Sequence, residues 1–248
     1  MAILAANWKM YKTVAEAEAW MAAVAASPLL GRAEVWVFPP LTALHALRGS
    51  AGRVRLGAQD VGWAEAGAFT GMVSAPQLRD AGCSLALVAH SERRRYACEG
   101  EEAAAAKIGA LWRVGLTPVY CVGEHGAERS AGQGEARIRQ QVDDVLARLG
   151  DELGGDLAIA YEPIWAIGSG TPATPAEAGA AAAVIRERVA RHCGAQALTR
   201  LRVLYGGSTS AESARGFLAE PLVDGLLVGS ASLAPDSFLA MLEVMVDA

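Results

Sequence analysis

The segment Leu157-Ala158-Ile159-Ala160-Tyr161-Glu162-Pro163 is apolar at five consecutive positions before it changes to a carboxylate and a proline. A strand with one face in water alternates polar and apolar residues, whereas a strand covered on both faces is apolar throughout. The pattern therefore predicts a buried parallel strand over Leu157–Tyr161, with Glu162 at its carboxyl end.

Similar short apolar runs lie on both sides of this segment, and helical patterns separate them. The other predicted strands are Ile3–Ala6, Val35–Phe38, Arg55–Ala58, Leu85–Val88, Pro118–Val122, Arg202–Leu204 and Gly225–Val228. The helical patterns are clearest at Glu101–Val114, Glu135–Leu149, Pro175–Arg191 and Asp236–Val246. Thr13 and Thr174 are each followed three residues later by glutamate, the pattern of a helix capping box. Strict alternation of strand and helix predicts an α/β protein with a parallel sheet.

Two architectures fit this alternation, an open doubly wound sheet and a closed barrel. The first strand-to-helix turn, Asn7-Trp8-Lys9-Met10-Tyr11, contains no glycine, so it lacks the G-x-G-x-x-G fingerprint of dinucleotide-binding open sheets. The chain has 248 residues, which suits eight strand–helix units and the typical barrel length of about 250. We therefore predict one domain over residues 1–248, a closed eight-stranded parallel (β/α)8 barrel.

Composition excludes several classes of protein. Hydrophobic residues make up 52% and charged residues 20% of the chain, which is unlike a disordered protein. The net charge of -5 gives no basic surplus for nucleic acid, and no apolar run reaches the ~20 residues that span a bilayer. No basic signal-peptide region precedes the first strand, and the cysteines show no metal-type spacing. We expect a cytoplasmic protein that binds neither nucleic acid nor membrane.

Polar residues cluster where the predicted strands end. In a barrel these ends form one rim, which carries the active site. They supply carboxylates, an imidazole, an amine and two glycine-rich turns: Asn7, Lys9, Gln59, Asp60, His90, Ser91, Glu92, Glu124, Glu162, Gly206-Gly207-Ser208 and Gly229-Ser230. Because these residues form no metal-ligand pattern, they predict acid–base chemistry on a small anionic ligand without metal or cofactor.

The two glycine-rich turns follow the seventh and eighth predicted strands. Glycine lets the backbone approach a ligand and present its N–H groups, and loops at these two positions commonly bind phosphate. Two ordinary tight turns are the alternative interpretation. The pair of turns favours a phosphate site.

Three side chains on the rim are candidates for chemistry. Burial would raise the pKa of Glu162 and make it a stronger base, although a surface carboxylate is the alternative. A short helix beginning after His90 would keep its imidazole neutral, but a core histidine would look the same in sequence. Lys9 could stabilise negative charge on an oxygen, or it could be a surface lysine, as we expect of Lys12.

The segment after Glu162 has the composition of a lid. It is apolar and flanked by proline and glycine, as suits a loop that covers a ligand and excludes water, although a packed connection is the alternative. The predicted lid is Pro163-Ile164-Trp165-Ala166-Ile167-Gly168-Ser169-Gly170.

Seven motifs in this order carry a resemblance to a known family. They are Asn7-Trp8-Lys9-Met10, Gly67-Ala68-Phe69-Thr70-Gly71, His90-Ser91-Glu92-Arg93-Arg94, Cys121-Val122-Gly123-Glu124, Tyr161-Glu162-Pro163-Ile164-Trp165-Ala166-Ile167-Gly168, Tyr205-Gly206-Gly207-Ser208 and Asp224-Gly225-Leu226-Leu227-Val228-Gly229. Along essentially its whole length the chain resembles the triosephosphate isomerase family.

This resemblance implies a TIM barrel that interconverts dihydroxyacetone phosphate and glyceraldehyde 3-phosphate without a cofactor, in glycolysis and gluconeogenesis. Glu162 matches the base, His90 the electrophile, and Lys9 and Asn7 their companions. Glu92 matches an acid near the lysine. The residues that match the phosphate site are Gly168, Ser208, Gly229 and Ser230.

The chain departs from the family pattern at several positions. Ser230 replaces a second glycine, and Ala89 replaces a glycine before His90. Tyr11 and Met72 replace an asparagine and a glutamate in the region through which family members form homodimers, where the loop around Thr70 reaches the neighbouring active site. The loop has its full length, so we expect a homodimer with a less polar contact at Met72.

Two other functions are compatible with parts of this pattern. Isomerisation of a four-carbon ketose phosphate would use the same base, imidazole and phosphate site. A catalytically silent phosphate-binding barrel would keep the glycine-rich turns, but it would have no need of the base, the histidine and the lysine together.

Overall fold

A computed structural model describes residues 1–167 and 172–247, and its centre is a closed parallel barrel. Strands follow one another around the barrel in chain order, and β1 pairs with β8 to close it. The strands are β1 Ile3–Asn7, β2 Glu34–Phe38, β3 Arg55–Ala58, β4 Leu85–Val88, β5 Thr117–Val122, β6 Leu157–Tyr161, β7 Leu201–Tyr205 and β8 Gly225–Val228. The predicted barrel is confirmed, and each predicted strand end lies within one residue of the observed one.

The strands are buried on both sides, as their composition predicted. One set of side chains fills the inside of the barrel: Ile3, Ala5, Trp36, Phe38, Leu85, Leu87, Val119, Cys121, Ala158, Ala160, Leu204 and Leu227. The alternate positions pack outward against the helices. Where β8 meets β1, a Cβ on Gly225 would lie 2.1 Å from the Ile3 carbonyl oxygen, so this closure requires glycine.

Helices cover the outside of the barrel. They are α1 Val14–Ala25, α2 Leu41–Leu47, α3 Ala75–Asp80, α4 Ser91–Ala97, α5 Glu101–Arg113, α6 Gly126–Ser130, α7 Gly134–Leu149, α8 Pro175–Cys193, α9 Ala211–Leu218 and α10 Pro235–Val246. Both predicted capping boxes form, at the starts of α1 and α8. Within the described ranges, no helix combines the length and the apolar character needed to cross a membrane.

Candidate active site

A cavity of about 600 Å³ opens at the carboxyl ends of the strands, on the rim where the sequence placed the polar residues. Of the predicted catalytic and substrate-binding residues, those that line it are Asn7, Lys9, His90, Glu92, Glu162, Ser208, Gly229 and Ser230. The predicted phosphate-site residue Gly168 lies outside the described residues. Among the residues that the structure describes, no group of three or more histidine, cysteine, aspartate or glutamate side chains is placed to hold a metal ion.

His90 and Glu162 face each other in this cavity, and both side chains are buried. His90 Nε2 lies 2.9 Å from Glu162 Oε1, and Glu162 Oε2 accepts the backbone N–H of Ser91 at 2.8 Å. His90 caps the N-terminus of α4, where its Nδ1 accepts the backbone N–H of Glu92 at 3.2 Å. An accepting Nδ1 carries no proton, so the single ring proton lies on Nε2 and is donated to Glu162.

The electrostatics of Glu162 differ from the expectation. Burial alone would raise the pKa of Glu162, but His90, the Ser91 N–H and Lys9 favour the carboxylate more strongly and lower that pKa below its ordinary value. The expectation of a raised pKa is therefore wrong for this arrangement. The groups that reverse it come from the loop after β1 and from the start of α4, which are far from residue 162 in sequence.

The same pairing acts on the histidine. Burial lowers the pKa of His90, the Glu162 carboxylate raises it, and the balance lies above the ordinary value. A second ring proton on Nδ1 would face the backbone N–H of Glu92 and would remove that hydrogen bond. The helix N-terminus thus opposes the effect of the carboxylate, because only a ring without a proton on Nδ1 can accept the Glu92 N–H. A neutral imidazole at His90 stays a prediction.

Lys9 is held in an unusual backbone conformation beside this pair. Its φ of 50° lies in the left-handed region, which is unfavourable for a side chain such as lysine. The peptide is fixed from both sides, since Asn7 Oδ1 accepts the Lys9 N–H at 3.0 Å and Gln59 Nε2 donates to the Lys9 carbonyl at 2.8 Å. Lys9 Nζ pairs with Glu92 Oε1 at 2.8 Å. The sequence placed Gln59 on the rim without giving it this function.

The glycine-rich turns border the same cavity. A Cβ on Gly206 would come within 3.1 Å of Glu162 Cγ, so glycine leaves room for the carboxylate. After β8 the chain forms a 3₁₀ turn over Ser230–Ser232, and the first N–H groups of such a turn have no partner within it. Ser230 does not adopt a positive φ, so serine fits where the family has glycine.

The described part of the predicted lid is anchored to the barrel. Ile164–Ala166 forms a 3₁₀ turn, and Trp165 Nε1 donates to Glu124 Oε1 at 2.7 Å. Tyr161 donates to the same oxygen at 3.0 Å, and the Arg129 guanidinium lies 3.6 Å from the centre of the Trp165 ring. The lid residues Gly168, Ser169 and Gly170 lie outside the described residues.

The residue before His90 is also fixed in the left-handed region. Ala89 has a φ of 56°; its N–H donates to Glu99 Oε1 at 2.8 Å and its carbonyl accepts from Arg94 Nε at 3.0 Å. Glu99 is buried, and sequence reasoning did not identify it. The glutamate and arginine hold the peptide that aims the imidazole into the cavity.

The fold and this site define a class of protein: a (β/α)8-barrel enzyme with a buried glutamate–histidine pair and two glycine-rich turns on one rim. The sequence pattern of the family described as triosephosphate isomerase matches residues 2–245. Relatives with that name include those of Xanthomonas axonopodis pv. citri, 46% identical over 96% of each chain, and Symbiobacterium thermophilum, 43% identical over 96% of this chain and 94% of the relative. The chain belongs to the triosephosphate isomerase family.

Proposed function

We propose that this protein interconverts dihydroxyacetone phosphate and glyceraldehyde 3-phosphate by proton transfer through an enediolate. The observation that carries the proposal is the 2.9 Å contact between Glu162 and His90 in a cavity that Lys9 and both glycine-rich turns also line. The names of the relatives support the same substrates.

Glu162 is the base in this mechanism. Substrate has to separate Glu162 from His90, which removes one donor from the carboxylate. Burial then dominates and makes the carboxylate a stronger base than it is in the free site. Glu162 takes a proton from one carbon of the triose and returns it to the neighbouring carbon, while the hydroxyl proton passes to the former carbonyl oxygen by way of His90 Nε2.

His90 and Lys9 stabilise the negative charge that develops on the substrate oxygens. The Nε2–H that is donated to Glu162 in the free site is donated to a carbonyl oxygen once substrate is bound. Lys9 lies on the same wall with Asn7, and its ammonium group stabilises the enediolate and the phosphate. A preorganised donor of this kind typically contributes about 3–4 kcal/mol in the transition state.

Phosphate binds at the turns after β7 and β8, through Ser208, the backbone at Gly229 and Ser230, and Gly168 of the lid. The molecule carries a net charge of -5, so a phosphate dianion is attracted by local groups rather than by the overall field. The Lys9 ammonium and the backbone N–H groups provide that local attraction.

The remaining proposals concern the setting of the reaction. We propose a homodimer through the region of Tyr11, Thr70 and Met72, a cytoplasmic location, and a role in glycolysis and gluconeogenesis. Met72 borders a second cavity of about 350 Å³ that shares Lys9 and His90 with the first, which supports a dimer contact close to the site.

A coupled assay with glyceraldehyde 3-phosphate, run beside a four-carbon ketose phosphate, tests the proposal. We expect turnover of the triose phosphate, and Glu162→Asp should lower kcat at least about 100-fold because the carboxylate retreats by roughly 1 Å. Circular dichroism checks that the variant is folded. Preference for the four-carbon substrate, or an undiminished kcat in the variant, would contradict the proposal.

A further inference from the structure

Lys12 is not the solvated surface lysine that the sequence suggested. Its side chain is partly buried, and its Nζ donates to the carbonyl oxygen of Leu233 at 2.7 Å. The backbone φ of Lys12 is 74°, in the left-handed region where a lysine is unfavourable. A strained backbone with a long-range side-chain contact indicates a constraint on this residue beyond exposure to solvent.

The partner of Lys12 lies at the end of the 3₁₀ turn that borders the cavity. Leu233 N–H donates to the Ser230 carbonyl at 3.1 Å, and Ser232 N–H donates to the Gly229 carbonyl at 2.9 Å. Ser230, at the start of the turn, lines the cavity, whereas the carbonyl group of Leu233, at its end, accepts the hydrogen bond from Lys12. The ammonium group therefore fixes the turn from the side away from the ligand.

A second contact joins the same two regions. Trp20 of α1 donates its Nε1–H to the Ser232 carbonyl at 3.0 Å. Trp20 packs edge-on against Trp8 with ring centres 4.8 Å apart, and Lys12 Nζ lies 5.3 Å from the centre of the Trp8 ring. The segment from Trp8 to Lys12 thus carries Lys9 into the cavity and holds the Leu233 carbonyl, while Trp20, which packs on Trp8, holds the preceding carbonyl of Ser232.

We propose that Lys12 is a positioning residue, which fixes the turn at Ser230 relative to Lys9 and so aligns two groups that bind the substrate phosphate. The inference rests on the proposed function, because it takes this turn to be the phosphate site. Lys12 does not line the cavity, and its effect passes through the Leu233 carbonyl.

Lys12→Met tests the inference, since methionine keeps an unbranched side chain and loses the charged hydrogen bond. We expect the KM for glyceraldehyde 3-phosphate and the Kd of inorganic phosphate, measured by calorimetry, to rise about tenfold, the size of one charged hydrogen bond. The ratio of kcat/KM for glyceraldehyde 3-phosphate to that for unphosphorylated D-glyceraldehyde should fall by the same factor. A general loss of stability would not change that ratio.

Arg95→Met is the matched control for charge. Arg95 is exposed on α4, and its guanidinium lies 5.1 Å from the ring of Tyr96, which borders the cavity. The variant removes one positive charge near the site without touching the turn, so its phosphate affinity should stay within about twofold of wild type. If the Kd of phosphate rose as much in Arg95→Met as in Lys12→Met, the loss of one positive charge would explain both effects. That result would overturn the inference.

Lys12→Gly separates the anchor from the strained backbone. Both variants lose the contact to Leu233, but glycine adopts the positive φ freely, so Lys12→Gly should have a higher Tm than Lys12→Met. Phosphate binding should weaken equally in the two variants. If the wild type is active and Lys12→Met binds phosphate as tightly as the wild type does, the role of Lys12 is contradicted and the proposed function stays intact. A different outcome would contradict the proposed function instead: the wild type binds phosphate, Lys12→Met weakens that binding, and the wild type does not isomerise triose phosphate.

Discussion

The carboxylate of Glu162 combines two requirements that oppose each other. It must be ionised to act as a base, and it must be enclosed so that water does not compete for the intermediate. In the free site the ionised form is favoured by His90, Ser91 and Lys9, and the carboxylate and the imidazole are both buried. In the proposed mechanism, replacing the histidine contact by substrate is therefore the step that turns a stabilised carboxylate into a strong base.

Ala89, the residue before His90, allows the backbone strain in the site to be measured. Its φ of 56° costs an alanine about 1–2 kcal/mol, whereas glycine adopts this conformation freely. Ala89→Gly should raise the free energy of unfolding by about 0.5–1 kcal/mol, after allowance for the greater freedom of glycine in the unfolded chain. Urea unfolding measures the change.

Ala86→Gly is the control for this substitution. Ala86 lies in β4 with no side-chain exposure and does not have a positive φ. Glycine there should lower the free energy of unfolding by about 0.5–1 kcal/mol, as it does within regular structure. If both variants lose stability equally, the backbone at Ala89 is not strained.

Helix α5 is attached to the rim by one buried cation. Lys107 is 2% exposed, and its Nζ lies 2.6 Å from both Asp60 Oδ1 and Glu99 Oε2. Asp60 comes from the loop after β3 and Glu99 from the turn between α4 and α5, so this lysine connects the helix to two connecting segments near the site. Because Glu99 also binds the Ala89 N–H, the connection extends to the residue that precedes His90.

Removing the Lys107 ammonium takes away the nearest cation of the buried Glu99 carboxylate, which keeps only the longer contact to Arg93 Nε at 3.3 Å. Lys107→Met should therefore lower the free energy of unfolding by about 2–3 kcal/mol, measured in urea. Arg113→Met is the matched control on the same helix, since its ion pair with Glu65 is exposed and should contribute less than about 1 kcal/mol. Equal effects of the two variants would refute this account of Lys107.

The elements differ in how far the sequence predicts them. Burial on both faces is a local pattern, so strands such as β6 could be placed from composition alone, and the caps at Thr13 and Thr174 use neighbouring residues. The contact between Lys12 and Leu233 joins residues 221 positions apart, and no local pattern indicates it. The pKa of Glu162 likewise depends on donors that only the closed barrel brings together.

At the scale of the whole molecule, exposed apolar side chains gather around the site. Met10 is 96% exposed and Tyr11 57%, and both border the cavity. Phe69 and Trp63 in the loop after β3 are each 42% exposed and pack edge-on with ring centres 5.6 Å apart. Apolar surface of this kind is typical of a protein–protein contact, and it supports the proposed homodimer.

Met10→Glu tests this assembly with little risk to the fold, because a side chain that is 96% exposed contributes almost no packing within the chain. If Met10 is buried against a second copy, an unpaired carboxylate there should dissociate the dimer, and sedimentation velocity at micromolar concentration should show a monomer. Leu222→Glu is the control, since Leu222 is an exposed apolar residue before β8 and away from this cavity. A monomeric wild type, or a Met10→Glu variant that sediments as wild type does, would contradict a dimer contact at Met10.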